Sequence, residues 1–265
     1  MSSNVDKKNI LLIECISEFL GTGLIVFLNS SYIASLQLIN KFNNCSWKFS
    51  FILGLSTCTS IYFSSLISKS HLNPIVTFSF FLLSNFKKSK MLPYIISQIS
   101  GSFVFSFIVY ILYYNSLVKF NKHNDILKNG PDNLNIASIF SFFPNKDINI
   151  EKIFIIEVII TFIFILVIFI LNDKKFFCTY NSLISPILIG TLIFIFNIVI
   201  SPFSSFTLNP AHDLGSQLFI YLLGLKDIAF LNELRSITNF CILIFGMIIG
   251  SIISVYFYKF IRFKN

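Results

Sequence analysis

The sequence predicts an all-α membrane protein with six transmembrane helices and two re-entrant half-helices, arranged as an inverted 3+3 repeat. Three observations predict this fold: an apolar composition, six apolar runs of bilayer length, and two Leu-Asn-Pro motifs at similar places in the two halves. Of the 265 residues, 55% are hydrophobic and 12% are charged, with a mean hydropathy of +0.78. An ordinary soluble domain carries roughly 25% charged residues, so the chain is expected to lie in a membrane.

Each apolar run is long enough to cross a bilayer, which takes about 20 residues. The first run is too long for a signal peptide and lacks a small-residue cleavage site, so it is expected to remain as a span. Because the number of spans is even, both termini are expected on one side. The predicted spans are Ile10–Ala34, Phe49–Ile67, Leu92–Tyr114, Ile153–Leu171, Leu183–Ile200 and Phe240–Tyr258.

Basic residues concentrate in the short loops and tails on the side of the termini, where Asp6 and Asp173 oppose them. By the positive-inside rule, both termini are therefore expected in the cytoplasm. Basic residues elsewhere are spread among acids, so nucleic-acid binding is not expected. The residues of the basic side are Lys7, Lys8, Lys87, Lys88, Lys90, Lys174, Lys175, Lys259, Arg262 and Lys264.

The two halves of the chain repeat the same landmarks. Glu18 lies in the first span and precedes Asn73 by 55 residues, and Glu157 lies in the fourth span and precedes Asn209 by 52. Each half holds an odd number of spans, so the second copy must enter from the opposite side of the membrane. We therefore treat residues 1–265 as a single domain with repeat halves of approximately 10–116 and 150–260.

Each Asn-Pro pair is followed by an apolar segment too short to cross the membrane, at 75–83 and 211–223. Asn is a favoured N-cap and Pro a favoured first helical residue, so Asn73-Pro74 and Asn209-Pro210 are expected to begin re-entrant half-helices. Inversion brings the two helix starts together near the midplane. Irregular backbone at that depth is tolerated where it lines a water-filled path or is buried in protein.

The two half-helix starts predict the chemistry of a pore. Their N-termini carry positive partial charge, which opposes cations, and the amides of Asn73 and Asn209 offer N–H donors to a passing oxygen. The backbone before each pair is expected to supply a ladder of carbonyl acceptors. Glu18 and Glu157 are costly inside a bilayer unless partnered, and loop N–H groups are their natural partners. The ladder residues are Lys69, Ser70 and His71 in the first half and Ser205, Phe206 and Thr207 in the second.

Other classes of function find less support. The five cysteines form no metal-binding spacing, and no Ser/His/Asp, paired-acid or metal constellation is visible among the three histidines and sparse acids. We expect no metal, no cofactor and no enzymatic activity. An inverted-repeat secondary transporter also has broken helices that meet at the midplane, so it stays open as an alternative.

Four stretches resemble the major intrinsic protein (aquaporin) family, and within it the bacterial glycerol uptake facilitator branch. They are Cys15–Gly23, His71–Pro74, Phe140–Asn145, and Asn209–Ala211 with Asp213. The similarity covers about residues 10–260. It implies a passive channel for glycerol, other small neutral solutes and water, in the bilayer of the cell (inner) membrane. It also implies a homotetramer with one pore per subunit, and Asp213 as a half-loop support typical of glycerol-conducting members.

The departures from this family are expected to alter selectivity. Ile75 replaces the usual Ala of the first motif, whereas Ala211 is retained in the second, so the contact of the half-helices is expected to loosen or shift. Lys69 replaces a Gly near the inner mouth. The family's constriction of two aromatics, a small residue and an arginine reads here as Leu53, Phe206, Asn197 and His212.

Without the arginine, the constriction is expected to be wider and less cationic, with weaker discrimination among polyols and a pH dependence from His212. A water-selective channel and a non-conducting relict remain alternatives. The relict reading rests on Ile75, Leu53 and His212.

Overall fold

The computed structural model describes residues 2–39, 46–124, 132–141, 149–176, 184–200, 208–231 and 237–264. Across these ranges the regular structure is helical, and none of the described residues lies in a strand. Two short π-helical turns, Ser35–Ile39 and Asp227–Leu231, accompany the α-helices. The α-helices are α1 (Ser2–Ala34), α2 (Ser46–Ser65), α3 (Pro74–Leu82), α4 (Lys88–Asn124), α5 (Asp132–Phe140), α6 (Ile150–Asn172), α7 (Ile184–Ile200), α8 (Pro210–Leu222) and α9 (Ile237–Lys264).

Six of these helices, α1, α2, α4, α6, α7 and α9, coincide with the six predicted spans, and α3 and α8 are the two predicted half-helices. Helices α1, α4, α6 and α9 each contain a segment long and apolar enough to cross a membrane. Helix α7 is apolar over the 17 residues that the structure describes, and α2 is a 20-residue helix rich in Ser and Thr. The predicted all-α membrane fold is confirmed.

The two halves run in opposite directions, as their third spans show. Helix α4 begins at Lys88, directly after a loop whose Phe86 lines a cavity. The same cavity is lined by Asp173, at the end of α6, and by Arg262, in the last turn of α9. Helix α4, the third span of the first half, therefore begins at the face where α9, the third span of the second half, ends.

Small residues allow the halves to pack closely. Helices α1 and α4 pack together in the first half and α6 and α9 in the second, while α2 and α7 cross between the halves. At that crossing, a Cβ on Gly54 would lie 2.5 Å from the Gly190 carbonyl oxygen, and a Cβ on Gly190 would lie 2.6 Å from that of Gly54. Glycine at both positions lets the backbones touch, a common device where helices associate in a membrane.

Candidate functional site

The N-termini of α3 and α8 meet at the centre of the protein. Asn73 and Asn209 are the N-caps, and Pro74 and Pro210 occupy the first helical positions. The Oδ1 atom of Asn73 accepts a hydrogen bond from the N–H of Ile75 at 2.8 Å. The Oδ1 atom of Asn209 accepts from the N–H of Ala211 at 3.1 Å. Each side chain thus satisfies N–H groups that have no partner within its own helix.

The same two side chains also join the half-helices. Asn73 Nδ2 donates to the carbonyl oxygen of Leu208 at 2.6 Å, and Asn209 Nδ2 donates to that of Leu72 at 2.8 Å. The two contacts are reciprocal, as an inverted repeat requires. An amide nitrogen carries two hydrogens, so each Asn retains a second N–H beyond the contact across the centre.

The backbone before each cap is held in an unusual conformation. Leu72 has a φ of 49° and Leu208 a φ of 32°, both in the left-handed region that costs a non-glycine residue about 1–3 kcal/mol. Such strain persists only where surrounding contacts determine the conformation. The hydrogen bonds that the Leu72 and Leu208 carbonyls accept from the opposite Asn are two of these contacts.

Glu18 organises the loop that leads into α3. It is fully buried, and its Oε1 atom accepts from the Ser68 hydroxyl at 2.8 Å and from the His71 N–H at 3.0 Å. Its Oε2 atom accepts from the Leu72 N–H at 2.7 Å and from Gln98 Nε2 at 2.8 Å. Four donors around one carboxylate compensate for its removal from water.

This arrangement also sets the direction of the loop carbonyls. The structure has no cis peptide bond among the residues it describes, and in a trans peptide the C=O points away from the following N–H. Because the N–H groups of His71 and Leu72 face Glu18, the carbonyls of Ser70 and His71 point to the opposite side. Both residues line the cavity described next.

A cavity of about 400 Å³ runs past the two Asn residues. Its lining combines polar residues, from the first half-loop, the half-helix starts, α2 and α6, with aliphatic or aromatic residues from the surrounding helices. The polar lining includes Thr57, Ser68, Lys69, Ser70, His71, Asn73, Asn172, Asn209 and His212. The apolar lining includes Ile25, Leu53, Val76, Phe80, Phe164, Ile168, Ile189 and Ile193.

The predicted constriction residues have different positions. Leu53 and His212 line the cavity, and the His212 carbonyl accepts a hydrogen bond from the Ser102 hydroxyl at 2.8 Å. Asn197 is buried between α2 and α7, where its Oδ1 atom accepts from the Ser50 hydroxyl at 2.7 Å. Phe206 lies outside the described residues. The composition of the constriction stays a prediction.

The second half-loop is described only in part. Ser205 and Thr207 of the predicted carbonyl ladder lie outside the described residues. Glu157, in α6, and Asp213, in the first turn of α8, are both buried. Their predicted support of this loop stays a prediction, as does the expected lack of a metal. Among the described residues, no group of three or more His, Cys, Asp or Glu side chains could hold a metal ion.

A second cavity of about 350 Å³, which we call the inner vestibule, adjoins the first at the face of the termini. It is lined by Lys69, His71, Phe80, Leu83, Asn85, Phe86, Phe169, Asn172, Asp173, Tyr258 and Arg262. Asp173 accepts hydrogen bonds from the Tyr258 hydroxyl, from the Lys175 N–H at 3.0 Å and from Arg262 Nε at 2.8 Å. These hydrogen bonds, together with the charge of Arg262, hold the pKa of Asp173 below its usual range.

The sequence analysis missed two polar residues that position the first half-loop. Gln98, buried in α4, donates to Glu18 and also to the Thr77 hydroxyl at 3.1 Å. The Thr77 hydroxyl in turn lies 3.2 Å from Nδ1 of His71. A polar amide in the middle of an apolar span is itself a signal, because burying it in a membrane is costly without partners.

Comparison with known proteins places this geometry in a family. Residues 5–258 match the family model described as major intrinsic protein. The chain is 38% identical to the glycerol uptake facilitator protein of Buchnera aphidicola subsp. Acyrthosiphon pisum (97% of each chain). It is 35% identical to that of Escherichia coli strain K12 (93% of this chain, 86% of the relative). The X-ray structure of the aquaglyceroporin from Plasmodium falciparum superimposes with a TM-score of 0.80 at 25% identity, covering 94% of this chain and 95% of that one. The chain therefore belongs to the major intrinsic protein family.

Proposed function

We propose that the protein is a passive channel for glycerol and other small neutral solutes, and for water. The observation that carries this proposal is the reciprocal contact of Asn73 and Asn209 beside a cavity lined by both polar and apolar residues. The names of the bacterial relatives support glycerol as the solute. Passage through such a channel needs no covalent step, and the proposal does not make the protein an enzyme.

The mixed lining suits a small polyol, which presents both hydroxyls and carbon. A solute hydroxyl can accept a hydrogen bond from the second N–H of Asn73 or Asn209 and donate to the carbonyls of Ser70 and His71. Its carbon atoms then face the apolar residues of the lining. Because partners replace water along the path, the solute loses its hydration shell without leaving its hydroxyls unpaired.

Charge selectivity in this proposal arises first from the backbone. The N-termini of α3 and α8 meet at the centre, so positive partial charge opposes a cation there. At the outer constriction, His212 replaces the family's arginine and provides at most one N–H donor when neutral. Together with Leu53 and Asn197, it supports a wider and less cationic constriction and weaker discrimination among polyols.

The proposal also covers location and assembly. We place the protein in the inner cell membrane with both termini in the cytoplasm, because basic residues dominate the loops on that side. The outer faces of the helices carry large exposed apolar side chains, among them Leu12, Phe51, Phe63 and Ile111. Lipid covers such a surface, and neighbouring copies cover part of it in the homotetramer that we propose. Native mass spectrometry in a mild detergent tests for the tetramer.

Stopped-flow light scattering on proteoliposomes tests the function. Vesicles holding the purified protein are shrunk with an impermeant osmolyte, and re-swelling is then followed under a glycerol gradient. Glycerol re-swelling that is faster than in empty vesicles and proportional to the gradient supports the channel. Fast water flux with slow glycerol flux favours a water-selective pore, and saturable, ion-coupled uptake favours a carrier. No flux above empty vesicles contradicts the proposal and favours the relict.

A further inference from the structure

We propose that the inner vestibule binds a small soluble phosphate anion, either inorganic phosphate or a phosphate monoester, and that the bound anion obstructs the solute pathway. Lys69 and Arg262 are the two basic residues in the wall. Binding of the anion follows from the positive charge and the N–H donors of the wall of the inner vestibule. Obstruction follows from its position and rests on the channel function proposed above.

The charge around the inner vestibule is predominantly positive. Lys175 Nζ donates to the carbonyl of Arg262, a wall residue, at 3.2 Å, and Lys259 Nζ donates to the carbonyl of Leu82, next to the wall residue Leu83, at 3.3 Å. In the described part of the chain, Asp173 is the acidic residue of this wall, and its Oδ2 atom pairs with Arg262 Nε at 2.8 Å. The wall thus holds one carboxylate and two cationic side chains, and two further lysines are bonded at or beside it, which favours an anion.

Lys69 is the cation best suited to hold that anion. Its side chain is exposed, and among the described residues no hydrogen-bond or ion-pair partner reaches its ammonium group. Arg262 uses Nε for Asp173, so the guanidinium retains its terminal N–H groups as further donors. A doubly charged phosphate, with several acceptor oxygens, can use both groups at once.

A buried polar group in the same wall points independently to a ligand. His71 is 6% exposed, its Nδ1 atom lies 3.2 Å from the Thr77 hydroxyl, and its ring stacks on Phe80 at 5.0 Å. The ring lines both cavities, and within the described residues its Nε2 atom has no hydrogen-bond partner. In the tautomer whose Nδ1 accepts from the Thr77 hydroxyl, Nε2 carries the proton and can donate to a phosphate oxygen.

The position of the inner vestibule explains why occupancy obstructs flux. Lys69, His71, Phe80 and Asn172 line both the inner vestibule and the central cavity, so a bound anion lies on the route of a solute. The anion itself is held back, because to proceed it would have to leave the charges of Lys69 and Arg262 and give up its water among the apolar residues of the central cavity. A phosphorylated solute or inorganic phosphate would thus limit solute passage from the face of the termini.

Isothermal titration calorimetry tests binding directly. The purified protein in a zwitterionic detergent is titrated with inorganic phosphate at low ionic strength. We expect a dissociation constant on the order of millimolar, as suits a solvent-accessible site with a few charge-assisted contacts. Lys69→Gln should raise the dissociation constant for phosphate about tenfold. Lys88→Gln is the control and should leave the dissociation constant unchanged, because Lys88 is an exposed lysine of the same face that lines neither cavity. Absence of binding, or equal binding by both variants, overturns the proposal.

Flux measurements test the obstruction. The rate of glycerol re-swelling of phosphatidylcholine proteoliposomes is measured with and without inorganic phosphate on both sides of the membrane. The ratio of these two rates is taken within each variant, so that differences in glycerol flux without phosphate cancel. We expect phosphate to slow glycerol flux by about twofold or more at saturation, and Lys69→Gln and Lys259→Gln to reduce this inhibition. Binding without inhibition overturns the obstruction.

A further arm separates soluble phosphate from the phosphodiester of a lipid headgroup. In phosphatidylglycerol vesicles without free phosphate, full glycerol flux supports the soluble anion. If glycerol flux is inhibited in these vesicles and Lys69→Gln relieves the inhibition, the site binds the lipid headgroup, and the proposal of a soluble anion is overturned. If glycerol flux is absent even without phosphate, the channel function fails, while calorimetry still decides whether the inner vestibule binds the anion.

Discussion

The side-chain amide of Asn73 donates a hydrogen bond to the Leu208 carbonyl oxygen, 2.6 Å away in the other half of the chain. Its counterpart, from Asn209 to Leu72, measures 2.8 Å. One side chain therefore caps its own half-helix and fixes the turn that begins the other. This double use explains why each half needs an amide at this position. A hydroxyl or carboxylate can accept a hydrogen bond from the N–H groups of the first helical turn, but it cannot supply the same pair of N–H donors.

Replacing that amide separates the two roles. In Asn73→Asp the carboxylate still accepts from the Ile75 N–H, so α3 keeps its cap, but the donor to Leu208 is lost and a negative charge enters the centre. We expect glycerol flux to fall several-fold and cation leakage to rise, measured in proteoliposomes that contain a pH-sensitive dye. Ser79→Ala, in the same half-helix, is the control, because among the described residues the Ser79 hydroxyl donates only to the Ile75 carbonyl, at 2.7 Å. Unchanged cation exclusion in Asn73→Asp would contradict the assigned role.

Glu18→Gln should destabilise the protein. The amide of Gln presents N–H groups toward two of the four donors that Glu18 now accepts from, leaving buried donors unpaired at about 1–3 kcal/mol each. Two unpaired donors give a total loss of roughly 2–6 kcal/mol, which corresponds to a melting temperature lower by about 4–24 °C. Thermal unfolding of the purified protein, followed by size-exclusion chromatography, measures this.

The control for Glu18 is Glu14→Gln, on the same helix. Glu14 forms a partly exposed ion pair with Lys90, with side-chain exposures of 15% and 26%. Pairs of this kind contribute about 0–1 kcal/mol, so its melting temperature should fall by less than about 4 °C. Equal effects of the two substitutions would show that Glu18 is not the support of the half-loop.

We predict that His212 makes solute passage depend on pH. Protonation of its imidazole would add a positive charge and a second N–H donor beside the cavity, so flux is compared at about pH 8 and about pH 5.5. We expect discrimination among polyols and exclusion of cations to increase at the lower pH. His212→Arg should show the stronger discrimination at both pH values. Flux and selectivity of the unmodified protein that are constant over this range would remove His212 from the mechanism.

Asp173 should contribute to stability in a pH-dependent way. Its pKa is lower in the folded protein than in the unfolded chain, where an aspartate titrates near 3.9, so the contribution is present above that value and is lost as the pH falls through the folded pKa. Asp173→Asn should therefore lower the melting temperature by a constant few degrees from pH 8 to about 5. The difference should shrink below about pH 4. A difference that instead grows on acidification would reverse the sign of this linkage.

The sequence predicted the half-helices well because their starts are local signals. Asn followed by Pro defines an N-cap and a first helical residue, and the observed helices begin at Pro74 and Pro210. The expectation that Ile75 loosens or shifts the contact of the half-helices stays a prediction. Ile75 is 4% exposed within an apolar cluster, and both hydrogen bonds between the half-helices are formed beside it.

The identity of the polar partners was beyond local reasoning. Gln98 lies 80 residues from Glu18, and Ser50 lies 147 residues from Asn197. No spacing rule links residues this far apart, because their meeting depends on how α1, α2, α4 and α7 pack. The same holds for the inner vestibule, whose wall combines Lys69 with Asp173 and Arg262.

The sequence by itself determined the membrane class, the six spans, the inverted repeat and the two Asn-Pro helix starts. Each of these depends on composition, on run length, or on residues adjacent in the chain. Only the tertiary structure decided which carbonyl each Asn contacts, which donors surround Glu18, and which charges gather at the inner vestibule. Hydrogen bonds and charge pairs act over a few ångströms, so they are defined by the folded arrangement of the helices and not by distance along the chain.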